Sequence, residues 1–329
     1  MHIQEVLNRI QHKRALVVGD ICLDRWCIYD PTLAEPSRET GIPRVAVVGR
    51  EVTPGAGGTV ANNLIAMGVA KVSVLGIQGD DGSAYELGKA LIANRIDSRW
   101  MVSDPGAQTF TYTKYINTLS GNEDLPRADF VNTRSWNANT EQRVLRNLRD
   151  AANSSDVILV SDQAETDTGG VVTAAVRDEL SVLAKEFPEK LIWVDSRMRP
   201  ELFRGVIVKI NEDEANAACQ RVFGTPDFGR LRAYIQAPLL LVTHGADGVD
   251  LVTENGRERV QTTRIEDPVD ICGAGDSFSA GAAMALAVTA SPVLAARFGN
   301  SVASVTIMKK GTGTASPDEI LRAAGQLVS

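Results

Sequence analysis

The sequence predicts an α/β protein built on a mostly parallel, doubly wound sheet, with a small additional β-sheet. Two observations favour this class. From residue 71 onward, short apolar runs of strand length alternate with segments of helical length, which is typical of parallel sheets covered by helices on both faces. Two segments, about 25–52 and 108–134, depart from this alternation and contain stretches in which polar and apolar residues alternate, as in half-buried β-structure.

The individual elements follow from the spacing of apolar residues. Residues 2–11 have the pattern of a short amphipathic helix, and residues 15–20 form an apolar run that ends at a glycine and an aspartate, as expected for a buried parallel strand. Further strands are predicted at 71–76, 157–161, 191–195, 206–210, 239–243 and 249–252. Further helices are predicted at 84–96, 144–152, 171–187, 212–222, 280–287 and 295–308, and another begins near 316–319. No internal repeat or low-complexity tract marks a second domain, so we expect one domain over residues 1–329.

Composition argues against several classes of function. The chain has 329 residues and a formal net charge of −7, which disfavours nucleic acid and anionic membrane surfaces as partners. No apolar run approaches the roughly 18 residues of a membrane-spanning helix, and the first residues lack the features of a secretory signal, so we expect a cytoplasmic protein. Four cysteines without C-x-x-C spacing and only three histidines argue against a Cys/His zinc site and a Ser-His-Asp triad.

The stretch 270–278 is the strongest candidate for a catalytic site. Gly273 and Gly275 permit a sharp turn whose backbone N–H groups point together at an anion. The apolar run 280–287 that follows places this turn at the N-terminus of a helix, where the dipole also favours negative charge. In such a turn Asp276 fits a general base, beside N–H groups that stabilise a transferred phosphoryl group. An ordinary tight turn with a first-turn carboxylate would give the same residues.

Polar residues also follow several predicted strands, where ligands bind in open α/β sheets. Asp20 and Asp24 follow the first strand, and Asn211 and Glu214 follow the strand at 206–210. Carboxylate and amide oxygens suit sugar hydroxyls and Mg²⁺. Solvent-exposed loop acids, and a helix N-cap with first-turn acids, are the structural alternatives.

Two glycine-rich segments complete the candidates. One precedes a predicted helix at residues 54–64, and the other follows the strand at 239–243. The glycines allow a ligand to approach the backbone closely, but close helix–sheet packing or a plain hairpin turn also explains them. Neither the dinucleotide G-x-G-x-x-G pattern nor the Walker A pattern is present.

These motifs resemble those of the ribokinase-like, or PfkB, carbohydrate kinases. The stretch 270–276 is similar to the family's Asp-x-x-Gly-Ala-Gly-Asp signature, and residues 18–25 are similar to its opening motif. Residues 211–214 match its Asn-x-x-Glu motif, and residues 242–248 match its Val-Thr-x-Gly-x-x-Gly turn. The resemblance covers nearly the whole chain. It implies a three-layer α/β/α sandwich with a small β-lid, and ATP- and Mg²⁺-dependent phosphoryl transfer to a hydroxyl of a sugar or sugar phosphate.

The resemblance also implies roles for individual residues. The catalytic group is the base Asp276 with an anion hole of Gly273, Ala274 and Gly275. The substrate-binding group is Asp20, Asp24, Gly55, Gly57, Thr59 and Arg127. The nucleotide-binding group is Asn211, Thr243, Gly245, Gly248 and Asn300, and Glu214 holds Mg²⁺ through water.

Residues 18–25 and 125–130 resemble in particular the kinase subfamily that phosphorylates heptose 7-phosphate in the ADP-heptose pathway. No nucleotidyltransferase segment follows, so only the kinase half is expected. Basic residues in and near the lid suit an acceptor that is already phosphorylated; they are Arg25, Arg38, Arg44, Lys114 and Arg127. A homodimer through the β-lid is a further implication of the resemblance.

Two departures from the family pattern leave details open. Ile271 and Cys272 replace a pair that is usually rich in threonine, so the presence of a monovalent-cation site is undecided. Thr59 stands where asparagine is usual, so the identity of the sugar is undecided. A ribokinase-like enzyme acting on a free sugar, a fructose phosphate or a nucleoside is therefore one alternative. A non-catalytic sugar-binding regulatory relative is another.

Overall fold

A computed structural model describes residues 2–262 and 264–326. The helices of these residues are α1 Ile3–Ile10, α2 Gly57–Ala66, α3 Gly82–Ala93, α4 Ala138–Asn153, α5 Ala174–Glu186, α6 Glu212–Phe223, α7 Phe228–Tyr234, α8 Ala274–Thr289, α9 Pro292–Thr306 and α10 Pro317–Gln326. The strands are β1 Arg14–Gly19, β2 Ile21–Tyr29, β3 Val47–Ala56, β4 Lys71–Leu75, β5 Ile77–Gln78, β6 Val102–Ser103, β7 Thr111–Asn117, β8 Ala128–Phe130, β9 Val157–Asp162, β10 Leu191–Ser196, β11 Ile207–Asn211, β12 Leu240–Thr243, β13 Val249–Thr253 and β14 Gly256–Val260. None of the helices in this part of the chain combines the length and the apolar character needed to cross a membrane.

The main sheet has eight strands in the order β14-β13-β12-β11-β10-β9-β1-β4. Its strands pair in parallel except for β13 and β14, which pair antiparallel at one edge. Successive side chains of a strand point to opposite faces of the sheet. Helices cover both faces, so the side chains on each face are buried. Val17 packs into a core with helices α1, α2, α8 and α9, whereas its neighbours Leu16 and Val18 pack into a second core with α4, α5 and α6. The predicted three-layer α/β/α sandwich is confirmed.

The lid is a second sheet of four strands in the order β3-β2-β7-β8. The predicted lid segments, 25–52 and 108–134, contain β7, β8 and most of β2 and β3. The lid sheet begins earlier than predicted, at Ile21, because Ile21, Cys22 and Leu23 are buried and continue the chain directly from β1. Asp20 is the single residue between the main sheet and the lid. Asp20 thus stands at the junction of the two sheets.

Several helices begin at capping residues that the apolar pattern alone did not show. Helix α4 begins six residues before the predicted start, where the Asn137 side chain accepts a hydrogen bond from Thr140 N–H. Helix α8 begins at Ala274 rather than at residue 280, which brings Asp276 into its first turn. The short helix α7 was not predicted. None of these differences alters the layer order.

Candidate active site

The turn before α8 has the geometry of an anion-binding site. Gly273 caps the helix with a φ of +77°, in the left-handed region that glycine adopts without strain. The N–H groups of Gly275 and Asp276 have no acceptor among the described residues, whereas Ala274 N–H donates to Ile271 O at 3.2 Å. Unpaired N–H groups at a helix N-terminus favour an anion. Within the predicted Gly273–Gly275 anion hole, the amide of Ala274 is therefore already engaged.

Two cavities meet at this turn. The first, of about 170 Å³, is called here the acceptor cavity and is lined by Asp24, Trp26, Ala56, Thr59, Tyr112, Lys114, Arg127, Gln163, Arg197, Cys272, Gly273, Asp276, Gly311 and Thr312. The second, of about 400 Å³, is called here the nucleotide cavity and is lined by Thr243, Gly245, Ala246, Gly248, Thr262, Ile265, Pro268, Ile271, Ala274, Gly275, Phe278, Asn300, Ala303, Ser304 and Ile307. Gly273 and Asp276 face the first cavity, and Ala274 and Gly275 face the second. A group passing from one cavity to the other would cross the turn.

Asp276 is half-buried in the wall of the acceptor cavity. Burial, followed by the nearby Asp195 carboxylate, raises the pKa of Asp276 to about 7, although Lys209 and Arg197 act in the opposite direction. Asp24 raises this pKa further. A carboxylate whose pKa lies near neutrality can both accept and release a proton, which suits a general base.

Asp24, on strand β2, also lines the acceptor cavity. Burial raises the pKa of Asp24 to about 6, while Lys114 and Arg127 lower it. Gly55 on the paired strand makes room for this carboxylate, since a Cβ atom on Gly55 would lie 2.3 Å from Asp24 Oδ1. Thr59 also lines the cavity, and its buried Oγ1 has no hydrogen-bond partner among the described residues. Both side chains can therefore bind hydroxyl groups of an acceptor.

Three cationic side chains line the acceptor cavity, and each is paired with a carboxylate. Arg127 donates two hydrogen bonds of 2.7 Å to Asp129, and its guanidinium lies 5.0 Å from the centre of the Tyr112 ring. The other two pairs are Lys114 with Glu123 and Arg197 with Glu165. The cations are thus positioned at the cavity but partly neutralised.

Of the predicted substrate-binding residues, Asp20, Gly55 and Gly57 are not part of the lining of the acceptor cavity. The buried Asp20 carboxylate accepts hydrogen bonds from the backbone N–H groups of Gln163 and Ala164 at 2.8 Å and of Val171 at 3.0 Å. Asp20 therefore holds the acidic 163–170 loop against the sheet, and of this loop Gln163 reaches the cavity. At Gly57 a Cβ atom would lie 2.7 Å from Ile21 Cδ1, so packing alone explains that glycine. The predicted contacts of Asp20 and Gly57 with the acceptor find no support in this geometry.

Four of the predicted nucleotide residues line the nucleotide cavity: Thr243, Gly245, Gly248 and Asn300. Gly248 has a φ of +90°, and a Cβ atom there would lie 2.2 Å from Val260 O, so the turn itself requires glycine. The buried Asn300 Nδ2 has no hydrogen-bond partner among the residues that the structure describes. Asn300 Nδ2 can therefore donate a hydrogen bond to a nucleotide base.

Asn211 and Glu214 form a capping box at the start of α6. Asn211 Oδ1 accepts from Glu214 N–H, and Asn211 N–H donates to Glu214 Oε2, both at 2.8 Å. Neither Asn211 nor Glu214 lines either cavity, so the capping box is the role that the geometry shows for Asn211. Burial and the Asp195 carboxylate raise the pKa of Glu214. Only Oε2 of Glu214 is used by the capping box, and Oε1 accepts no hydrogen bond from the described residues.

Comparison with known proteins identifies the family. Residues 14–319 match the model of the pfkB family carbohydrate kinases. The chain belongs to this family. The predicted family and the predicted enzyme class, a carbohydrate kinase, are thereby confirmed.

Curated relatives of this pfkB kinase include the bifunctional protein HldE of Geotalea uraniireducens, 27% identical over 98% of this chain. HldE of Geobacter sulfurreducens is 28% identical over 94% of this chain. The chain spans 65% and 63% of the length of these two relatives. Among solved structures, phosphofructokinase-2 from Escherichia coli in complex with potassium matches with a TM-score of 0.73 and 18% identity over 96% of this chain and 100% of that one. Ribokinase from Thermotoga maritima matches with a TM-score of 0.69 and 17% identity over 95% and 99%.

Sequence reasoning missed Lys209, a buried side chain of this kinase. Lys209 Nζ donates to Asp195 Oδ2 at 2.8 Å, and Ser279 Oγ donates to the same oxygen at 2.9 Å. Lys209 lies beneath the anion-binding turn, since a Cβ atom on Gly275 would lie 3.0 Å from its Nζ. The available signal was a lysine within the otherwise apolar run of the strand at 206–210.

Proposed function

We propose that this kinase transfers the γ-phosphoryl group of ATP, with Mg²⁺, to a hydroxyl group of a sugar phosphate, and that heptose 7-phosphate is the first acceptor to test. The observation that carries this proposal is the position of Asp276 and the anion-binding turn between two cavities, one of them lined by cations. The names of the HldE relatives agree with the resemblance to the heptose 7-phosphate kinases. The cytoplasmic location expected for this protein is part of the same proposal, because a kinase needs the ATP that the cytoplasm supplies.

In this mechanism Asp276 accepts the proton of the acceptor hydroxyl. The acceptor oxygen then forms a bond to the γ-phosphorus, and the bond from that phosphorus to the β–γ bridging oxygen breaks, so that ADP leaves. Asp24 and Thr59 orient the acceptor through its other hydroxyl groups. The N–H groups of Gly275 and Asp276 stabilise the charge on the transferred group, which is the main contribution a protein makes to such reactions.

The nucleotide would lie in the larger cavity, with Thr243, Gly245, Gly248 and Asn300 around it. The described residues contain no cluster of three or more side chains with metal-ligand character, and Mg²⁺ in kinases is held largely by phosphates and water. Glu214 fits this arrangement, because Oε1 remains available while Oε2 serves the capping box. When bound, Mg²⁺ neutralises charge on the β- and γ-phosphates. A monovalent cation and a lid-mediated homodimer remain predictions; exposed Val47 and Val48 on lid strand β3 are compatible with the latter.

An ADP-release assay with matched acceptor pairs tests the proposal. ATP and Mg²⁺ are supplied with heptose 7-phosphate or heptose, fructose 6-phosphate or fructose, ribose 5-phosphate or ribose, and a nucleoside. We expect turnover on a phosphorylated member of one pair, and its loss in the Asp276→Asn variant. Arg127→Gln should raise KM for that acceptor by at least about 10-fold, since a charge-assisted contact contributes roughly 1.5–3 kcal/mol. Arg149→Gln, at an exposed arginine paired with Glu179 and Glu186, is the matched control.

A kinase for a free sugar is the second candidate. The specific observation in its favour is that Arg127, Lys114 and Arg197 each already pair with a carboxylate. If those pairs persist, the acceptor cavity offers little net positive charge to a phosphate. Faster turnover on the unphosphorylated member of a pair would favour this candidate. Acceptor binding without turnover on any compound would contradict both.

A further inference from the structure

A buried ion pair lies directly beneath the anion-binding turn. Lys209 on β11 and Asp195 on β10 are register partners in the parallel sheet, and their side chains meet at 2.8 Å. Both residues are nearly inaccessible, with 5% and 7% of their surface exposed. The Ser279 hydroxyl, which donates to Asp195, belongs to α8 one turn beyond Asp276. The pair is thus fixed to the helix that carries the base.

The stability of the fold alone does not account for a buried ion pair at this place. Taking two charges out of water costs free energy that their mutual attraction often fails to recover, so a buried ion pair is weak support for stability. Lys209 Nζ approaches within 3.0 Å of a Cβ position on Gly275, and any larger side chain there would contact the ammonium. The ammonium therefore faces the backbone at which the transferred phosphoryl group is proposed to bind.

The charges around Asp276 come from several elements. Lys209 and Arg197 favour its ionised form, and Asp195 and Asp24 disfavour it. Burial, with a smaller contribution from Asp276, raises the pKa of the Cys22 and Cys272 thiols, which are therefore uncharged near neutral pH, and Glu214 favours the charged form of Lys209. Of these groups, Lys209 and Asp195 are the buried pair, where charges interact most strongly because solvent screening is weak.

We propose that Lys209 and Asp195 are a positioning pair for the base: the Lys209 ammonium favours ionised Asp276, and Asp195 holds that ammonium in place and limits its effect. The functional meaning of this pair rests on the role proposed for Asp276. Lys209 contributes through the field that it exerts on the carboxylate and the anion-binding turn. Ser279 fixes the Asp195 carboxylate relative to α8.

Removing the charge of Lys209 and removing the charge of Asp195 should shift the titration of Asp276 in opposite directions. Removing the ammonium in Lys209→Met leaves Asp195 and Asp276 as neighbouring carboxylates, so Asp276 should titrate at higher pH. Removing the opposing charge in Asp195→Asn should move the titration to lower pH. Each shift is expected to be about one pH unit, the size of a nearby charge effect at a partly buried site. The double variant should return close to the wild-type value, and Lys209→Arg, which keeps the charge, should stay near it.

The test is a carboxyl ¹³C NMR titration of the full chain labelled at aspartate, with the Asp276 signal assigned by its loss in Asp276→Asn. Lys190→Met is the matched control, because Lys190 donates to Ala152 O and Ser155 O at the other end of β10. We expect no shift in that variant. The proposal would be overturned if both single variants shifted the Asp276 titration in the same direction, if Lys209→Met lowered it and Asp195→Asn raised it, or if neither variant shifted it. If a single variant does not fold, Lys209→Arg and the double variant decide, and a shift of more than about half a unit in either would overturn it.

A kinetic arm separates this inference from the proposed function. With the acceptor identified in the ADP-release assay, the apparent pKa in kcat/KM should move in the same directions as the NMR titration. NMR shifts as expected without turnover on any acceptor would refute the proposed function and leave the pair standing. Turnover that depends on Asp276, without opposite shifts, would refute the pair alone.

Discussion

Replacing Asp276 by asparagine should sharply lower turnover and at the same time stabilise the protein at alkaline pH. The pKa of Asp276 is about 7 in the folded protein against 3.8 for an ordinary aspartate. Because the folded state holds a proton that the unfolded state has released between these values, wild-type stability falls as the pH rises from about 4 to about 7. Asparagine is uncharged throughout and does not incur this loss.

The structure sets the size of the effect. A difference of about three pH units corresponds to about 4 kcal/mol, at about 1.4 kcal/mol per unit. Asp276 is only half-buried in a cavity wall, so water screens part of the penalty and we expect about 2 kcal/mol. The variant should therefore be more stable than the wild type by about 2 kcal/mol at pH 8 and by nearly nothing at pH 4.

Urea unfolding of both proteins at pH 4, 5.5, 7 and 8 measures this difference, with the slope of each transition checked for constancy. Turnover of the variant should fall by about 10²–10⁴-fold, the usual contribution of a positioned base. A variant that is less stable than the wild type at pH 8, or a stability difference that does not change with pH, would refute the electrostatic reasoning.

Three further predictions follow from the site. The wild-type kcat/KM should rise with pH through an apparent pKa of about 7 and level off above it, because ionised Asp276 is the active form; a profile that falls with pH over this range would contradict it. Gly55→Ala should lower kcat/KM for the acceptor by at least about 10-fold, since the added Cβ would lie 2.3 Å from Asp24 Oδ1, while Gly88→Ala, where a Cβ would meet nothing within 4 Å, should change neither activity nor KM. Asp20→Asn should lower the free energy of unfolding by about 1–3 kcal/mol at pH 5, because an amide cannot accept all three backbone hydrogen bonds, and by less at pH 8, because burial raises the pKa of Asp20 to about 6 and the wild type loses stability as this carboxyl ionises; unchanged stability at pH 5 with a raised acceptor KM would show that this carboxylate contacts the acceptor.

The residues that the sequence identified most reliably belong to local motifs. Gly273 and Asp276 lie three residues apart in one turn, so their spacing alone was enough to place the Asp276 side chain beside the unpaired N–H groups of that turn. The strand and helix order followed from apolar periodicity for the same reason, since each element buries a face set by its own residues. Even the capping box of Asn211 and Glu214 was visible as a local alternative to ligand binding.

The tertiary structure decided every relation between distant segments. Asp20 follows a strand that ends at the ligand edge, yet its partners are N–H groups more than 140 residues away, so sequence position could not separate a loop anchor from a substrate ligand. Lys209 and Asp195 meet only because β10 and β11 pair in parallel with one particular register. The sequence by itself determined the elements and the glycine-containing turn before α8, because those depend on neighbouring residues. Burial and charge pairing, which set the protonation of Asp276, arise from contacts between elements, and only the folded chain brings those contacts together.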